Sequence, residues 1–123
     1  MNRTIAVIGA SSNRRKYGNR AVRAYARQGY TVYPVHPSAQ TVEGLKAYRS
    51  ILDIPAAELD RVSFYVPPDI GLHVIEDVAR KPVKEVWLNP GADSAALIAR
   101  GEALGLRMIV ACSIVAIGED PHQ

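Results

Sequence analysis

Acidic residues are missing from the first third of this chain. Residues 1–42 hold seven arginines and lysines and no aspartate or glutamate, whereas the remainder holds eight basic and twelve acidic groups. The first segment is thus +7 and the rest −4, within a net charge of +3. A basic first segment implies a polyanion nearby: a nucleotide, a nucleic acid or a phosphate ester. Cys112 is the one cysteine in 123 residues, which excludes an internal disulfide framework and fits a reducing, cytoplasmic setting. No apolar run approaches the length that spans a bilayer, so a membrane protein is not expected. Thr4–Gly9 is apolar but short and lacks a basic leader and cleavage site, so it does not read as a signal peptide. Exposed aromatics are scarce as well. Tyr17 is the sole aromatic of the basic loop, which makes no stacking platform, and no nucleic-acid recognition motif is visible.

What is present is an alternation of strand and helix. Thr4–Gly9, Thr31–Val35, Arg61–Val66, Glu85–Leu88 and Arg107–Cys112 are short runs rich in apolar and β-branched residues, as in strands buried on both faces. Gly18, Ala21, Val22, Tyr25 and Ala26 form one helical stripe, with Arg20, Arg23 and Arg27 on the solvated face and Gly29 as the stop. The register recurs in Gly71, Val74, Ile75, Val78 and Ala79, with Asp69 placed to cap that helix and Pro82 to end it. A third helix spans Ser94 to Leu104, capped by Asp93 or Ser94 and stopped by Gly105. Between Ser38 and Pro55 the pattern is less regular. There "GLKAY" suggests a short edge strand and "SILDI" a helical turn. The expectation is a single α/β domain over residues 1–123. Its core is a Rossmann-like parallel sheet of about five strands, order 3-2-1-4-5, with helices on both faces.

Ligands of such sheets sit at the carboxyl ends of the strands. The first strand ends in "GASSNRRKYG". Gly9 lets the backbone turn closely, Ser11 and Ser12 offer hydroxyls and N–H groups, Lys16 adds a mobile cation, and the next helix aims its N-terminus at the same spot. The spacing fails the G-x-G-x-x-G test. The second strand ends in "YPVHPS", where Val35, His36 and Pro37 stand in place of the acid that would hold ribose hydroxyls. Two independent failures argue against a standard dinucleotide dehydrogenase. The third strand ends in "YVPPD", whose prolines either wall a pocket or open a helix. The fourth ends in "WLNPGAD", where Asn89 bonds either locally or to a ligand and Gly91 either permits close approach or simply turns the loop. Cys112, at the end of the last strand, reads first as packing and second as a reactive thiol. The histidines fall in unrelated elements, so no metal site is expected. Neither a Ser-His-Asp order nor a P-loop occurs, so no catalytic residues are assigned.

Taken together, "VIGASS" with Lys16 and Gly18, "GYTVYPVHP", "FYVPPD", "VWLNPG" and Cys112 resemble the CoA-binding protein family. Its members are built like the CoA-binding domain of the succinyl-CoA synthetase alpha subunit. The resemblance runs over nearly the whole chain. It implies coenzyme A as the cofactor, with Gly9, Ala10, Ser11, Ser12 and Lys16 on the phosphates. Val35, His36 and Pro37 would line the adenosine side, Val66, Pro67 and Pro68 the pantetheine arm, and Asn89 and Gly91 its far end. Two departures stand out. His36 replaces the usual Asn of a V-N-P motif, and Val110 and Ala111 replace a polar pair before Cys112.

The expected function is a small, non-catalytic CoA or acyl-CoA binding protein of the cytoplasm, monomeric or homodimeric, that takes a small-molecule ligand and no nucleic acid or membrane. The alternative is an enzyme, either NAD(P)-linked or using Cys112 in CoA-thiol redox chemistry.

Overall fold

The computed structural model describes residues 2–123. Five strands form one parallel sheet: β1 (Thr4–Ile8), β2 (Thr31–Val35), β5 (Leu59–Phe64), β6 (Val83–Leu88) and β7 (Met108–Val110). A small hairpin, β3 (Thr41–Val42) with β4 (Leu45–Lys46), lies outside that sheet, where "GLKAY" suggested an edge strand. "SILDI" forms a 3-10 turn, Ile51–Asp53, capped by the Ser50 hydroxyl.

Side chains alternate across the sheet, and each face meets its own helices. Ile5 and Val7 pack with Ala21, Val22 and Tyr25 of α1 (Tyr17–Arg27). Ala6, Ile8, Val62, Phe64, Val86 and Leu88 face the other way. They pack with Ile75 and Val78 of α2 (Pro68–Val78) and Leu97 of α3 (Ala95–Ala103). Helices therefore cover both faces, as the strand composition predicts.

The strand order is β2-β1-β5-β6-β7, which is 2-1-3-4-5 when only the main-sheet strands are counted. This corrects the expected 3-2-1-4-5. The third main strand pairs with β1 on the side opposite β2, with Ala6 opposite Val62 and Ile8 opposite Phe64. The reason is legible in Pro34, which sits in the middle of β2 opposite Val7. Proline has no N–H for a second ladder and confines its strand to an edge. Beyond β2 only a single parallel bridge forms, Val35 to Tyr48.

One helix cap and three strand ends also differ from expectation: β1 ends at Ile8, β5 at Phe64 and β7 at Val110, before Gly9, Val66 and Cys112. Asp69 lies inside the first turn of α2, where its charge faces the helix dipole, while Pro67 holds the cap position and Pro68 opens the helix. At α3 the choice between Asp93 and Ser94 falls to Ser94, whose hydroxyl accepts the Leu97 N–H at 3.1 Å. β7 stops at Val110, short of Cys112, because Ser113 N–H turns in to donate to Asn89.

Candidate functional site

The carboxyl ends of β1, β2, β5 and β6 open on one cleft of about 680 Å³. Its lining brings together Gly9, Ala10, Ser11, Lys16, His36, Val66, Pro67 and Gly91, all singled out from the sequence. The first wall is the turn between β1 and α1. Gly9 has φ of +87°, and a Cβ there would lie 2.7 Å from the Tyr65 carbonyl oxygen. A side chain is thus excluded both by conformation and by the neighbouring strand end. Gly18 packs directly on Gly9, since a Cβ there would run into the Gly9 carbonyl oxygen. This contact seats the first turn of α1 against the strand end.

The loop between them is held by its own groups. Asn13 N–H donates to Ser11 Oγ at 3.0 Å, Arg15 N–H to Asn13 Oδ1 at 3.0 Å, and Asn19 Nδ2 to the Ser11 carbonyl at 2.8 Å. No side chain caps α1 and no acid occupies its first turn. An uncapped N-terminus flanked by Arg15 and Lys16 presents N–H groups and positive charge to the cleft.

The opposing wall is stiff and mostly apolar: Tyr65, Val66 and Pro67 after β5, and Pro90, Gly91 and Ala92 after β6. Of the two prolines in "VPPD", Pro67 faces the cleft and Pro68 serves the helix, so each sequence reading holds for one of them. His36 closes the β2 end. Its Nδ1 accepts the N–H of Ser38 at 3.0 Å and of Ala39 at 2.8 Å. This is the turn an asparagine oxygen would close from the same Cγ, which reconciles His36 with the missing Asn.

Five sequence candidates lie elsewhere. Ser12 and Pro37 are exposed on their loops and do not line the cleft. Val35 is buried in the core on the α2 side. Pro68 is the first residue of α2. Asn89 is buried beneath the cleft floor, and both its amide protons are used internally, to Ser63 Oγ and the Phe64 carbonyl, each at 2.8 Å. Its Oδ1 accepts the Ser113 N–H at 2.8 Å. Of the two readings of Asn89, these bonds belong to the local one.

That amide anchors a buried polar network. Ser63 Oγ and Ser113 Oγ lie 2.7 Å apart, and the Tyr65 hydroxyl reaches Ser113 Oγ at 3.0 Å. Tyr25 donates to the Ser113 carbonyl at 2.8 Å and accepts from Arg61 at 3.0 Å. Burial pushes the Tyr65 phenol far above its ordinary value, and its bond to Ser113 only partly opposes that. The network joins β5, β6 and the segment after β7, so it fixes the strand ends that carry the cleft wall.

Sequence reasoning missed Arg15, Tyr17, Gly18 as a lining residue, Tyr65, Pro90 and Ala92. Arg15 had a signal in its adjacency to Lys16. Tyr65 was obscured because β5 ends at Phe64, two residues before its apolar run suggests. A second, smaller hollow of about 290 Å³ adjoins the cleft and shares Tyr17, Tyr65 and Pro90 with it. Asn89, Cys112, Val115 and Pro121 complete this largely apolar lining. Cys112 is half-buried there, free and close to the ligand edge of the sheet.

Arg20, Arg23 and Arg27 line the outer face of α1 as expected, but they are tied down rather than simply solvated. Arg20 donates to the Pro121 carbonyl, Arg27 pairs with Glu119 at 2.8 Å, and Arg23 bonds Asn19 Oδ1 and the Arg14 carbonyl. Among the described residues no cluster of groups suits a metal ion, and no helix is long and apolar enough to cross a membrane.

Comparison with known proteins places this arrangement. The family of the CoA binding domain matches residues 3–118. The chain is 39% identical over 84 residues to an ADP-forming acetate–CoA ligase II of Archaeoglobus fulgidus, covering 67% of this chain and 12% of the ligase. It is 38% identical over 85 residues to the alpha subunit of the corresponding Pyrococcus furiosus ligase, covering 68% of this chain and 18% of that subunit. The chain therefore spans less than a fifth of either relative. Among solved structures, a conserved hypothetical protein from Pyrococcus furiosus superposes with a TM-score of 0.84 at 35% identity, over 93% of this chain and 98% of that one. The dinucleotide-forming acetyl-coenzyme A synthetase 1 of Ca. Korarchaeum cryptofilum, in complex with phosphate and ADP, gives 0.72 at 30% identity over 86% of this chain and 25% of the synthetase. With the match running through every strand of the sheet and both walls of the cleft, this chain belongs to the CoA-binding domain family.

Proposed function

We propose that this chain is a small, non-catalytic binding module for coenzyme A or an acyl-CoA, working in the cytoplasm as a monomer or homodimer. The observation that carries the reading is the two-sided cleft at the strand ends. One side offers the uncapped start of α1 with Arg15 and Lys16, and the other offers the stiff wall of Val66, Pro67, Pro90 and Gly91. A CoA phosphate group suits the first side and a pantetheine arm the second. Gly9, Ala10 and Ser11 take the phosphates together with Lys16. Val66 and Pro67 flank the arm, and Gly91 lies toward its far end. The family match supports the ligand class. Similarity to a solved chain over 98% of that chain's length supports a module that folds at this size.

The competing enzyme reading needs either a ribose-binding acid or a reactive Cys112. No carboxylate lines the cleft, which favours CoA over NAD. Thermal unfolding with each ligand tests the reading. A ligand of the folded state at a hundred times its Kd adds about 2.7 kcal/mol of stability. CoA is expected to raise Tm, and NAD and NADP to raise it much less. Equal stabilisation by NAD would reverse the assignment.

A further inference from the structure

His36 carries one hydrogen-bonding group more than its turn requires. Nδ1 accepts two backbone N–H groups, from Ser38 and Ala39. A ring nitrogen that accepts carries no proton, so in the neutral imidazole the proton sits on Nε2. The turn thereby fixes the tautomer, and the same residue lines the cleft at the end of β2. An asparagine there would close the turn through Oδ1, and its remaining N–H donors sit on the amide nitrogen bonded to Cγ, short of the position of Nε2.

The surroundings decide what such a donor meets. In this architecture the end of the second strand faces the ligand's ribose. A free ribose diol donates protons and calls for a carboxylate, and the cleft lining holds none. Its charged members are Arg15 and Lys16 alone. Glu43, the first acid of the chain, is not part of the lining. It is engaged instead by Arg14 at 3.6 Å and by Asn19 Nδ2 at 3.1 Å. A lining whose charged groups are all cations, and which adds a ring N–H, suits a phosphate monoester better than a bare diol.

We propose that the Nε2–H of His36 reads a phosphate on the ligand's ribose, so that this cleft selects the 3′-phosphorylated adenosine end of CoA over its 3′-dephospho form. The proposal rests on the CoA reading above and adds a specificity-determining residue to it.

Calorimetric titration of the parent protein and of His36→Asn with CoA and with 3′-dephospho-CoA tests it at one fixed salt concentration. Hydrogen bonds to charged groups contribute about 1.5–3 kcal/mol, so the parent is expected to prefer CoA by roughly tenfold or more. His36→Asn keeps the turn. It should bind 3′-dephospho-CoA as the parent does, with the preference for CoA reduced about fivefold or more. An unchanged preference, with CoA still bound by both proteins, overturns the role of His36 and leaves the CoA reading standing. A parent that binds neither ligand overturns both. A second measurement needs no variant. Adenosine 3′,5′-bisphosphate should displace CoA from the parent at lower concentration than adenosine 5′-monophosphate, and equal potency overturns the proposal.

Discussion

Lys16 and Arg23 stand seven residues apart in one basic segment, yet they do different work. Lys16 lines the cleft at the cap position of α1. Arg23 lies about two turns further along and braces the loop from behind, through Asn19 Oδ1 at 2.7 Å and the Arg14 carbonyl at 3.1 Å. Lys16→Ala is expected to weaken CoA binding by about tenfold at low salt, the worth of one charge-assisted contact, and by less as salt screens it. Titrations at two salt concentrations read both effects. Arg23→Ala should change affinity less and show a smaller salt dependence, because it touches the loop and not the ligand. Equal losses for the two would mean that the ligand contacts the outer face of α1. Gly18 is the least tolerant position nearby, since any side chain would collide with the Gly9 carbonyl. Gly18→Ala should cost about 3 kcal/mol in denaturant unfolding, at the upper end for an overpacked contact.

At the scale of elements, the cleft depends on how strand ends are tied together beneath it. Asn89 bonds β5 through Ser63 and Phe64 and the post-β7 segment through Ser113. Asn89→Ala leaves several buried partners unsatisfied. The expected loss is on the order of 3 kcal/mol, or a Tm lower by about 10 °C. If unfolding curves show no loss, the network has rearranged around water and is not what holds the wall. Cys112 sits on the segment that this network positions, facing an apolar hollow with no basic residue in its lining. Its thiol is expected to react slowly with a thiol reagent, and Cys112→Ser to leave CoA affinity within a few-fold. A fast reaction that bound CoA blocks would revive the redox alternative.

At the scale of the whole molecule, the buried phenol of Tyr65 links stability to alkaline pH. Its pKa in the fold is raised well above the ordinary value of 10.0, chiefly by burial. The folded state therefore holds that proton more tightly than the unfolded chain does. The resulting stability is fully present below about pH 10 and is lost as pH rises toward the folded-state value. Tyr25 is raised in the same direction, again by burial first. Stability measured by denaturant should fall steeply above pH 10, and Tyr65→Phe should flatten that fall. A parallel decline in both proteins would assign the effect to other groups.

Sequence alone determined the alternation of elements, the helical stripe of α1, the start of α3 to within the pair Asp93 and Ser94, and the loops that follow each strand. All of these follow from local periodicity and backbone chemistry, which act over a few neighbouring residues. It also located most of the cleft, because this architecture gathers strand ends on one edge whatever the order of the strands. Strand order was a different matter. It turns on which neighbour completes each ladder, and only Pro34 hinted that β2 lies at an edge. The split between Pro67 and Pro68, the inward turn of Asn89 and the tethering of Arg20 and Arg27 by the C-terminal segment were decided by tertiary structure. Each depends on a partner distant in the chain: Ser113 for Asn89, Pro121 for Arg20, Glu119 for Arg27. A polar side chain can meet a ligand or a buried backbone group with equal ease, and only packing shows which of the two lies within reach.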